Sequence, residues 1–260
     1  MDILYEDSDI IVVKKRAGLA TQTKKIGEKD LVSELKNHLK GGYVGVIHRL
    51  DQPVEGLLVF AKTKKAAAVL SSEVGDKEGA GFSKIYTAIV LAEGEYKESE
   101  SLTDYICKTK EGMAKILRAG DEKKFPDAKI ARLDYKVEGK LELKGKPEPK
   151  EKDVGEKAEG KAKDEADNSC EILKIRVTLH TGRFHQIRAQ LSAAGLPIIG
   201  DRKYGTDKAV SLAASLGSRF PFLCASTLSF KHPVSGKNLE FTCDAFHDII
   251  ENKMTLKVDR

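Results

Sequence analysis

The hydrophobic pattern of one segment changes from the period of a strand to the period of a helix within a few residues. Apolar and polar side chains alternate over residues 172–179, which predicts a long β-strand that ends near Thr181 and Gly182. Apolar residues then recur at helical spacing over residues 184–194, and Gly195 predicts the end of that helix. A strand that leads directly into an amphipathic helix requires a sheet with a helix packed against it.

Other segments of the chain predict more strands than helices. Further strands are expected within residues 3–5, 10–13, 57–61, 83–91, 131–137, 223–230 and 239–243. Helices are expected over residues 30–40, 64–72, 208–216 and 244–253. The first two strands flank a polar turn, which favours an antiparallel hairpin. Because strands and helices do not alternate regularly, the sequence predicts the α+β class with a mixed, mostly antiparallel sheet.

A highly charged stretch separates two of these strands. Residues 138–169 contain eight lysines, ten acidic residues, no aromatic residue and only three large aliphatic ones. Such a segment buries too little apolar surface to offset its chain entropy, so we expect a mobile insertion. Its nearly balanced charge favours a solvated loop over a nucleic-acid-binding arm. Around this insertion, residues 1–253 are expected to form one domain, and residues 254–260 a tail.

The composition fits a cytoplasmic protein with a substantial core. The chain has 260 residues, of which 40% are hydrophobic and 33% charged, and its net charge of +5 permits a polyanionic partner without requiring one. The four cysteines lack metal-ligand spacing and are interpreted as reduced thiols: Cys107, Cys170, Cys224 and Cys243. No apolar run approaches roughly 18 residues and no signal-peptide pattern opens the sequence, so neither secretion nor membrane insertion is expected.

The stretch His48-Arg49-Leu50-Asp51 contains the best candidate for a reactive side chain. It precedes a turn marked by Pro53 and Gly56, and then the apolar run of residues 57–61. A carboxylate in this position is presented by a loop beside a buried strand, where catalytic groups are common. Most loop aspartates instead cap helices, form turns or remain solvated, so this pattern alone leaves a structural role for Asp51 open.

Two further segments carry motifs that accompany this stretch in one known family. One is Lys84-Ile85-Tyr86-Thr87-Ala88, and the other runs from Thr181 to Arg188 and continues through Gly200-Asp201 to Tyr204-Gly205. Together with residues 48–51, and in this order, they resemble the RluA-type pseudouridine synthases over residues 3–241. The resemblance implies a pseudouridine synthase fold, a mixed, mostly antiparallel sheet with a central catalytic cleft flanked by helices. It also implies isomerisation of uridine to pseudouridine in structured RNA, without a cofactor or a metal.

The resemblance assigns three catalytic residues. Asp51 matches the aspartate that attacks the nucleoside, so that the glycosidic bond breaks and the uracil rotates and rejoins through carbon. A carboxylate nucleophile must be ionised, and Arg188 matches the arginine that forms an ion pair with it. Tyr86 matches the tyrosine against which the flipped-out base packs, a contact worth about 1–3 kcal/mol. A role for the Tyr86 phenol as a general base stays open at this point.

The resemblance also implies contacts to RNA from a single catalytic domain. Arg49 matches an arginine that holds the flipped-out nucleotide. Five further residues of these motifs are expected to contact RNA or to support its binding: His48, Lys84, Arg183, His185 and Gln186. We expect an rRNA or tRNA substrate, a monomer, no membrane and no obligatory protein partner. Because Ile3 already matches the catalytic domain, we expect no S4 RNA-binding domain ahead of it.

The chain departs from the family pattern beside these motifs. Val54-Glu55 stands where Thr-Ser is common, Phe184 where Thr is common, and Cys224-Ala225 where many members have His-Ala. A carboxylate at Glu55 repels phosphate or alters the ionisation of Asp51, depending on where it points. The residue at position 224 is interpreted as packing. These departures leave a second function open, that of an RNA-binding or RNA-remodelling protein without catalysis.

Metal-dependent hydrolysis is a third alternative. Hydrolytic zinc sites need histidines and carboxylates at regular ligand spacing. His48, His180 and His185 lack such spacing with nearby acids, so the sequence disfavours this alternative.

Overall fold

Strands from almost the whole length of the chain join into one continuous sheet in the computed structural model, which describes residues 1–23, 25, 27–75, 81–117, 120–144 and 170–257. The strands in these ranges are β1 (Asp2–Glu6), β2 (Ile10–Lys15), β3 (Gly45–Val46), β4 (Glu55–Ala61), β5 (Phe82–Ala92), β6 (Ser99–Lys108), β7 (Ala114–Leu117), β8 (Lys129–Leu143), β9 (Glu171–Leu179), β10 (Leu223–Lys231), β11 (Asn238–Thr242) and β12 (Met254–Lys257). The helices are α1 (Leu31–His38), α2 (Lys64–Gly75), α3 (Gln186–Ala193), α4 (Asp207–Ser215) and α5 (His247–Lys253).

The order of the strands confirms the predicted fold class. Along the sheet the order is β1-β2-β4-β10-β5-β9-β8-β6-β7, with β3 paired to β4, β11 to β10 and β12 to β8. Within the described ranges, β4 and β10 run parallel, and the other pairs are antiparallel. The protein is therefore an α+β protein with a mixed, mostly antiparallel sheet. None of the helices in these ranges has the length and apolar composition that crossing a bilayer requires.

Side-chain alternation along the strands divides the core between the two faces of the sheet. On the first face, Tyr86 and Ala88 of β5 pack in a cluster that includes residues of α1 and α3. On the second face, Ile89 and Leu91 of the same strand pack with α4 and α5. Helix α2 covers β2 and β4 on the second face. Tyr86 and helix α3 therefore lie on the same face of the sheet.

Local sequence signals explain where α1 and α3 begin and end. The Asp30 side chain caps α1 by accepting a 2.7 Å hydrogen bond from the backbone N–H of Ser33. Helix α3 follows His185, whose φ of 52° lies in the left-handed region that is unusual for a residue other than glycine. Gly195 has a φ of 78° just after α3 and provides the predicted stop.

The predicted insertion begins later in the chain than expected. Residues 138–143 continue β8, and residues 140–143 pair with β12, whose residues were expected to form a tail. Residues 139–141 also pair with β9, and Leu141 is buried together with Met254 in the core beneath α5. Of the predicted insertion and tail, residues 145–169 and 258–260 lie outside the described residues.

The parallel pairing of β4 with β10 positions the loop that carries Asp51. Gly56 pairs with Ala225 at the start of both strands. With a φ of 126°, Gly56 lies so close to β10 that a Cβ atom there would be 2.4 Å from the Ala225 nitrogen, so only glycine fits. On its other side β10 pairs with β5, where Tyr86 is opposite Ala225. The Asp51 loop therefore leads into β4, which β10 separates from the strand that carries Tyr86.

Candidate active site

Asp51 and Arg188 meet in the structure although 137 positions separate them in the chain. The Nη1 of Arg188 donates to the Oδ2 of Asp51 at 3.2 Å. The Arg188 side chain is only 5% exposed, whereas that of Asp51 is 27% exposed. The first turn of α3 thus brings a buried guanidinium to a carboxylate that solvent still reaches. The ion pair that the sequence motifs predict is present.

Asp201 fixes the other edge of the same guanidinium, a role that the sequence did not predict. The Nε and Nη2 of Arg188 donate to the two oxygens of Asp201 at 2.6 and 2.7 Å. Asp201 is fully buried. Burial alone lowers the pKa of Arg188, but the hydrogen bonds and charge of Asp201, followed by those of Asp51, raise it on balance. This two-pronged contact fixes the orientation in which Nη1 points at Asp51.

His185 makes a second polar approach to Asp51. Its Nε2 lies 3.7 Å from the Oδ2 of Asp51, and its side chain is 9% exposed. Its Nδ1 lies 2.8 Å from the hydroxyl oxygen of Tyr204, which also accepts a 2.6 Å hydrogen bond from the backbone N–H of Ala114. Burial lowers the pKa of His185 to about 4, with Asp51 opposing the shift and Arg188 supporting it. The imidazole is therefore neutral at neutral pH.

Tyr86 is buried on the face of the sheet that α3 covers. Its residue is 5% exposed and belongs to the same apolar cluster as Leu50, the neighbour of Asp51. Burial raises the pKa of Tyr86, and the charge of Asp51 raises it further. The phenol therefore keeps its proton at neutral pH. This disfavours the general-base role that the sequence left open. The part of the side chain that suits the predicted packing against a base is therefore the aromatic ring.

Lys15 supports the Asp51 loop from inside the protein, a role that no sequence pattern predicts. Its side chain is fully buried, and its ammonium donates to the carbonyl oxygens of Arg16, Leu19 and Gln52 at 3.1, 2.7 and 3.1 Å. Burial lowers the pKa of Lys15 to about 8, although the charges of Asp51 and then Glu55 oppose this shift. Since Gln52 directly follows Asp51, the lysine holds the backbone beside the carboxylate.

Comparison with known proteins identifies the family. The sequence model described as RNA pseudouridylate synthase matches residues 9–193. The chain belongs to this family. Its relatives are named as RNA pseudouridine synthases, which are isomerases, and this agrees with the resemblance found in the sequence.

Curated relatives match over most of their length. The dual-specificity RNA pseudouridine synthase RluA of Salmonella typhimurium is 30% identical over 248 residues, which cover 94% of this chain and 92% of that protein. The ribosomal large subunit pseudouridine synthase D of Zymomonas mobilis is 28% identical, with 96% of this chain and 70% of that protein covered. Among solved structures, the human RNA pseudouridylate synthase domain containing 1 superposes with a TM-score of 0.71 at 18% identity. That match covers 99% of this chain and 89% of the human one, and it shows the pseudouridine synthase fold.

Two of the cations that were predicted to contact RNA lie on the surface of this pseudouridine synthase domain. Arg49 is exposed two residues before Asp51. Arg183 is exposed, and its Nε donates to the backbone oxygen of Ile130 at 2.9 Å. Lys84 is half-buried, its ammonium lies 5.8 Å from the centre of the Phe82 ring, and burial lowers its pKa.

The other predicted RNA contacts are placed differently. His48 is buried, packs edge-on against Phe82 and accepts a long 3.4 Å hydrogen bond from the backbone N–H of Val59. Gln186 is 3% exposed, and its amide joins Thr181 to the backbone of Arg132. Both side chains are buried inside the protein, so the structure assigns them to the architecture of the site and not to an RNA-facing surface. His185 is partly buried and faces Asp51, as described above.

The departures from the family pattern do not disturb the contacts of Asp51. Val54 is 2% exposed and packs in the core, and Cys224 is fully buried, as its interpretation as a packing residue predicts. Glu55 lies beside Cys224, and burial raises the pKa of Glu55. Phe184 is 41% exposed, and its ring stacks on the His185 imidazole with centroids 3.7 Å apart. Of these departures, Phe184 is the one in contact with a partner of Asp51.

One group of side chains in the described ranges has the spacing of metal ligands. Asp7, Asp9 and His232 offer ligand atoms that lie within 4.8 Å of one another. Asp7 already accepts hydrogen bonds from the Tyr5 hydroxyl and from two backbone N–H groups of the β1–β2 turn. This turn precedes Ile10 at one end of β2, and the Asp51 loop lies at the other end. The group is therefore separate from the candidate active site.

Proposed function

We propose that this pseudouridine synthase uses Asp51 as its nucleophile and Oδ1 as the attacking oxygen. The supporting observation is the asymmetry of the carboxylate. Arg188 and His185 both approach Oδ2, whereas Oδ1 has no hydrogen-bond or ion-pair partner in the part of the chain that the structure describes. The partly exposed carboxylate therefore has one oxygen held by the protein and one free to reach a nucleoside.

The reaction is an isomerisation that needs no other reactant. The bond between C1′ of the ribose and N1 of uracil breaks, and a bond between C1′ and C5 forms. One proton leaves C5 and one is gained at N1, so the product has the composition of the substrate. Asp51 supplies the electron pair that labilises the glycosidic bond, and Arg188 stabilises the carboxylate as an ion before and after the reaction.

The substrate is a uridine in structured RNA that leaves its stack to reach Asp51. Unstacking costs a few kcal/mol, and packing of the base on Tyr86 contributes about 1–3 kcal/mol in return. Arg49, Lys84 and Arg183 are suited to contact the RNA backbone, because phosphate contacts supply most of the affinity for nucleic acid. The names of the relatives favour ribosomal or transfer RNA as the target.

We further propose that one catalytic domain acts as a monomer in the cytoplasm. The sheet that joins β1 to β12 supports a single domain. The four cysteines are free thiols, as is usual in a reducing compartment.

Incubation of the purified protein with ribosomal and transfer RNA from a strain of its host that lacks the protein tests the function. Pseudouridine is then mapped at nucleotide resolution in both fractions, and RNA binding is measured in parallel. New pseudouridine at one or a few defined uridines supports the proposal and names the target. Tight binding without new pseudouridine in either fraction overturns it, and supports the RNA-remodelling alternative.

A further inference from the structure

Two partners reach the same oxygen of Asp51, and each is held by a third residue. Arg188 is oriented by the carboxylate of Asp201. His185 is oriented by the hydroxyl of Tyr204, at 2.8 Å from Nδ1. The Tyr204 position matches a motif of the family, but its side chain has no part in the chemistry proposed above.

We propose that Tyr204 is a positioning residue whose hydroxyl donates to the Nδ1 of His185 and thereby directs the Nε2 proton of His185 toward Asp51. The proposal rests on the assignment of Asp51 as the nucleophile. It adds a second, neutral hydrogen-bond donor to the carboxylate, beside the charged donor from Arg188.

The hydrogen bonds of the Tyr204 oxygen decide the direction of this donation. A phenol has one proton to donate and lone pairs with which to accept. The backbone N–H of Ala114 occupies one lone pair at 2.6 Å, and this donor cannot be reversed. Among the residues that the structure describes, the Nδ1 of His185 is the acceptor in reach of the hydroxyl proton. Burial raises the pKa of Tyr204, so the proton stays on the phenol.

The surroundings of the imidazole agree with this tautomer. If the proton were on Nδ1, the lone pair of Nε2 would face the Oδ2 of Asp51 at 3.7 Å, and the two would repel each other. A doubly protonated ring is disfavoured because burial and the charges of Arg188 and Lys203 lower the pKa of His185, against the charges of Asp51 and Asp201. With a proton on Nε2 alone, Nε2 donates toward Asp51 and Nδ1 accepts from the Tyr204 hydroxyl.

The backbone and the neighbouring ring also restrict His185. Its φ of 52° is a left-handed conformation that costs free energy in a residue other than glycine, and such strain is often found at functional sites. Phe184 stacks on the imidazole with an interplanar angle of 22°, and Tyr204 approaches it edge-on. The ring is therefore held in place before any RNA binds.

The distance of 3.7 Å from Nε2 to Oδ2 exceeds a normal hydrogen bond. Contacts of this kind are often long in the free enzyme and shorten when the substrate is bound. Arg188 and His185 then both donate to Oδ2, and this keeps Oδ1 turned toward the nucleoside.

The protonation of His185 is measured directly by nitrogen NMR of the intact protein with ¹⁵N-labelled histidine. The His185 signals are assigned by their loss in His185→Gln. We expect a protonated Nε2 and an unprotonated Nδ1 in the wild type, and a mixture of tautomers in Tyr204→Phe, which keeps the ring that lies under Arg188. A protonated Nδ1 in the wild type, or an unchanged tautomer in Tyr204→Phe, overturns the proposal.

Turnover provides the second measurement. Tyr204→Phe and His185→Gln are each expected to lower the single-turnover rate about tenfold, and the double variant no further than His185→Gln alone, because Tyr204 acts through His185. Independent effects that multiply in the double variant contradict the proposal. Tyr5→Phe is the matched control, since the Tyr5 hydroxyl bonds to Asp7 at 2.8 Å at the far end of β2. It is expected to leave turnover and the His185 tautomer unchanged.

These two measurements separate the inference from the proposed function. If the wild type forms no pseudouridine, the proposed function fails, while the tautomer in the wild type and in Tyr204→Phe still decides whether Tyr204 directs the His185 proton. If the wild type is active but its tautomer is reversed, the function stands and the inference fails.

Discussion

Asp7 and Asp51 lie at opposite ends of β2, and each has a histidine beside it. Their side chains are equally exposed, at 27%. The two oxygens of Asp7 accept four hydrogen bonds, from the hydroxyl of Tyr5, two backbone N–H groups of the β1–β2 turn and His232. Most of these donors lie within three residues of Asp7 in the chain.

Asp51 differs from Asp7 in the origin of its partners. Arg188 and His185 come from a part of the chain that is remote in sequence, and both approach the Oδ2 of Asp51. Exposure and a neighbouring histidine therefore do not distinguish a turn-forming aspartate from a reactive one. The number of oxygens already occupied does distinguish them, because a saturated carboxylate has no free lone pair in position to attack.

The largest expected effect is on turnover in Asp51→Asn. An amide cannot serve as the nucleophile, so we expect the single-turnover rate to fall by at least about 10³-fold. Arg188 remains bonded to Asp201, so the free energy of unfolding should change little. Chemical denaturation and RNA binding, measured on the same preparation, are the controls. A rate within tenfold of the wild type would remove Asp51 from the mechanism.

The second prediction concerns Asp201→Asn, after which Asp51 is the only carboxylate that the described residues offer to the buried guanidinium. Breaking one side of a buried ion pair costs about 3–5 kcal/mol of unfolding free energy. Misplacement of Nη1 should also lower turnover about 10²-fold. Asp134→Asn is the matched control, because Asp134 pairs with His180 on the surface, where both side chains are 47% exposed. We expect that change to cost less than about 1 kcal/mol.

Turnover that is unaffected in folded Asp201→Asn would show that Asp51 does not depend on a fixed Arg188. The comparison with Asp7 would then rest on the free oxygen of Asp51 alone.

The third prediction is that Asp7→Asn changes stability and not activity. An amide keeps one acceptor oxygen, so the variant loses the acceptor for two of the four donors, which should lower the free energy of unfolding by about 1–3 kcal/mol. The single-turnover rate per folded molecule should equal that of the wild type. Asp9→Asn is the control, since among the described residues the Asp9 side chain accepts a hydrogen bond from the Ser8 hydroxyl alone, and we expect a smaller loss. A reduced rate in stable Asp7→Asn would contradict the division of roles.

The fourth prediction is a pH dependence of stability that comes from His185. Its pKa is about 4 in the folded protein and about 6.5 in an unfolded chain. Between these values the folded state binds fewer protons, so the contribution of His185 to the free energy of unfolding falls as the pH is lowered from about 6.5 to about 4, and is constant below.

The His185→Gln variant has no imidazole to protonate, so its free energy of unfolding does not fall for this reason at low pH. The difference in unfolding free energy between wild type and variant should therefore shrink across that range in denaturation series at several pH values. A difference that is independent of pH would show that the imidazole is not held neutral.

Sequence reasoning was most successful where alternation or a motif is local. It predicted β9, the change to α3 and the stop at Gly195, because each of these depends on residues close together in the chain. The pairing of Asp51 with Arg188 was accessible only through the motifs, since no spacing rule connects residues 137 positions apart. The onset of the insertion was wrong, because residues 139–143 pair with β9 and β12, and no local pattern indicates these pairings.

Supporting residues were the least predictable part of the site. Lys15 follows an apolar run and resembles an exposed lysine at the end of a strand, yet three carbonyl groups from two separate loops bury it. Asp201 has no sequence feature that distinguishes a turn aspartate from a partner of Arg188. Gln186 belongs to a recognisable motif, but its burial depends on Arg132 of a strand far away. In each case the deciding contact is made by chain that is remote in sequence.

The most direct test of the central claim uses the native host. A strain that lacks this protein is supplied with the wild-type chain or with Asp51→Asn at equal abundance, and pseudouridine is mapped in its ribosomal and transfer RNA. We expect the same uridines to lose pseudouridine in the deletion strain, to regain it with the wild type and to remain unmodified with Asp51→Asn. Restoration by Asp51→Asn, or an unchanged map after deletion, would contradict the account.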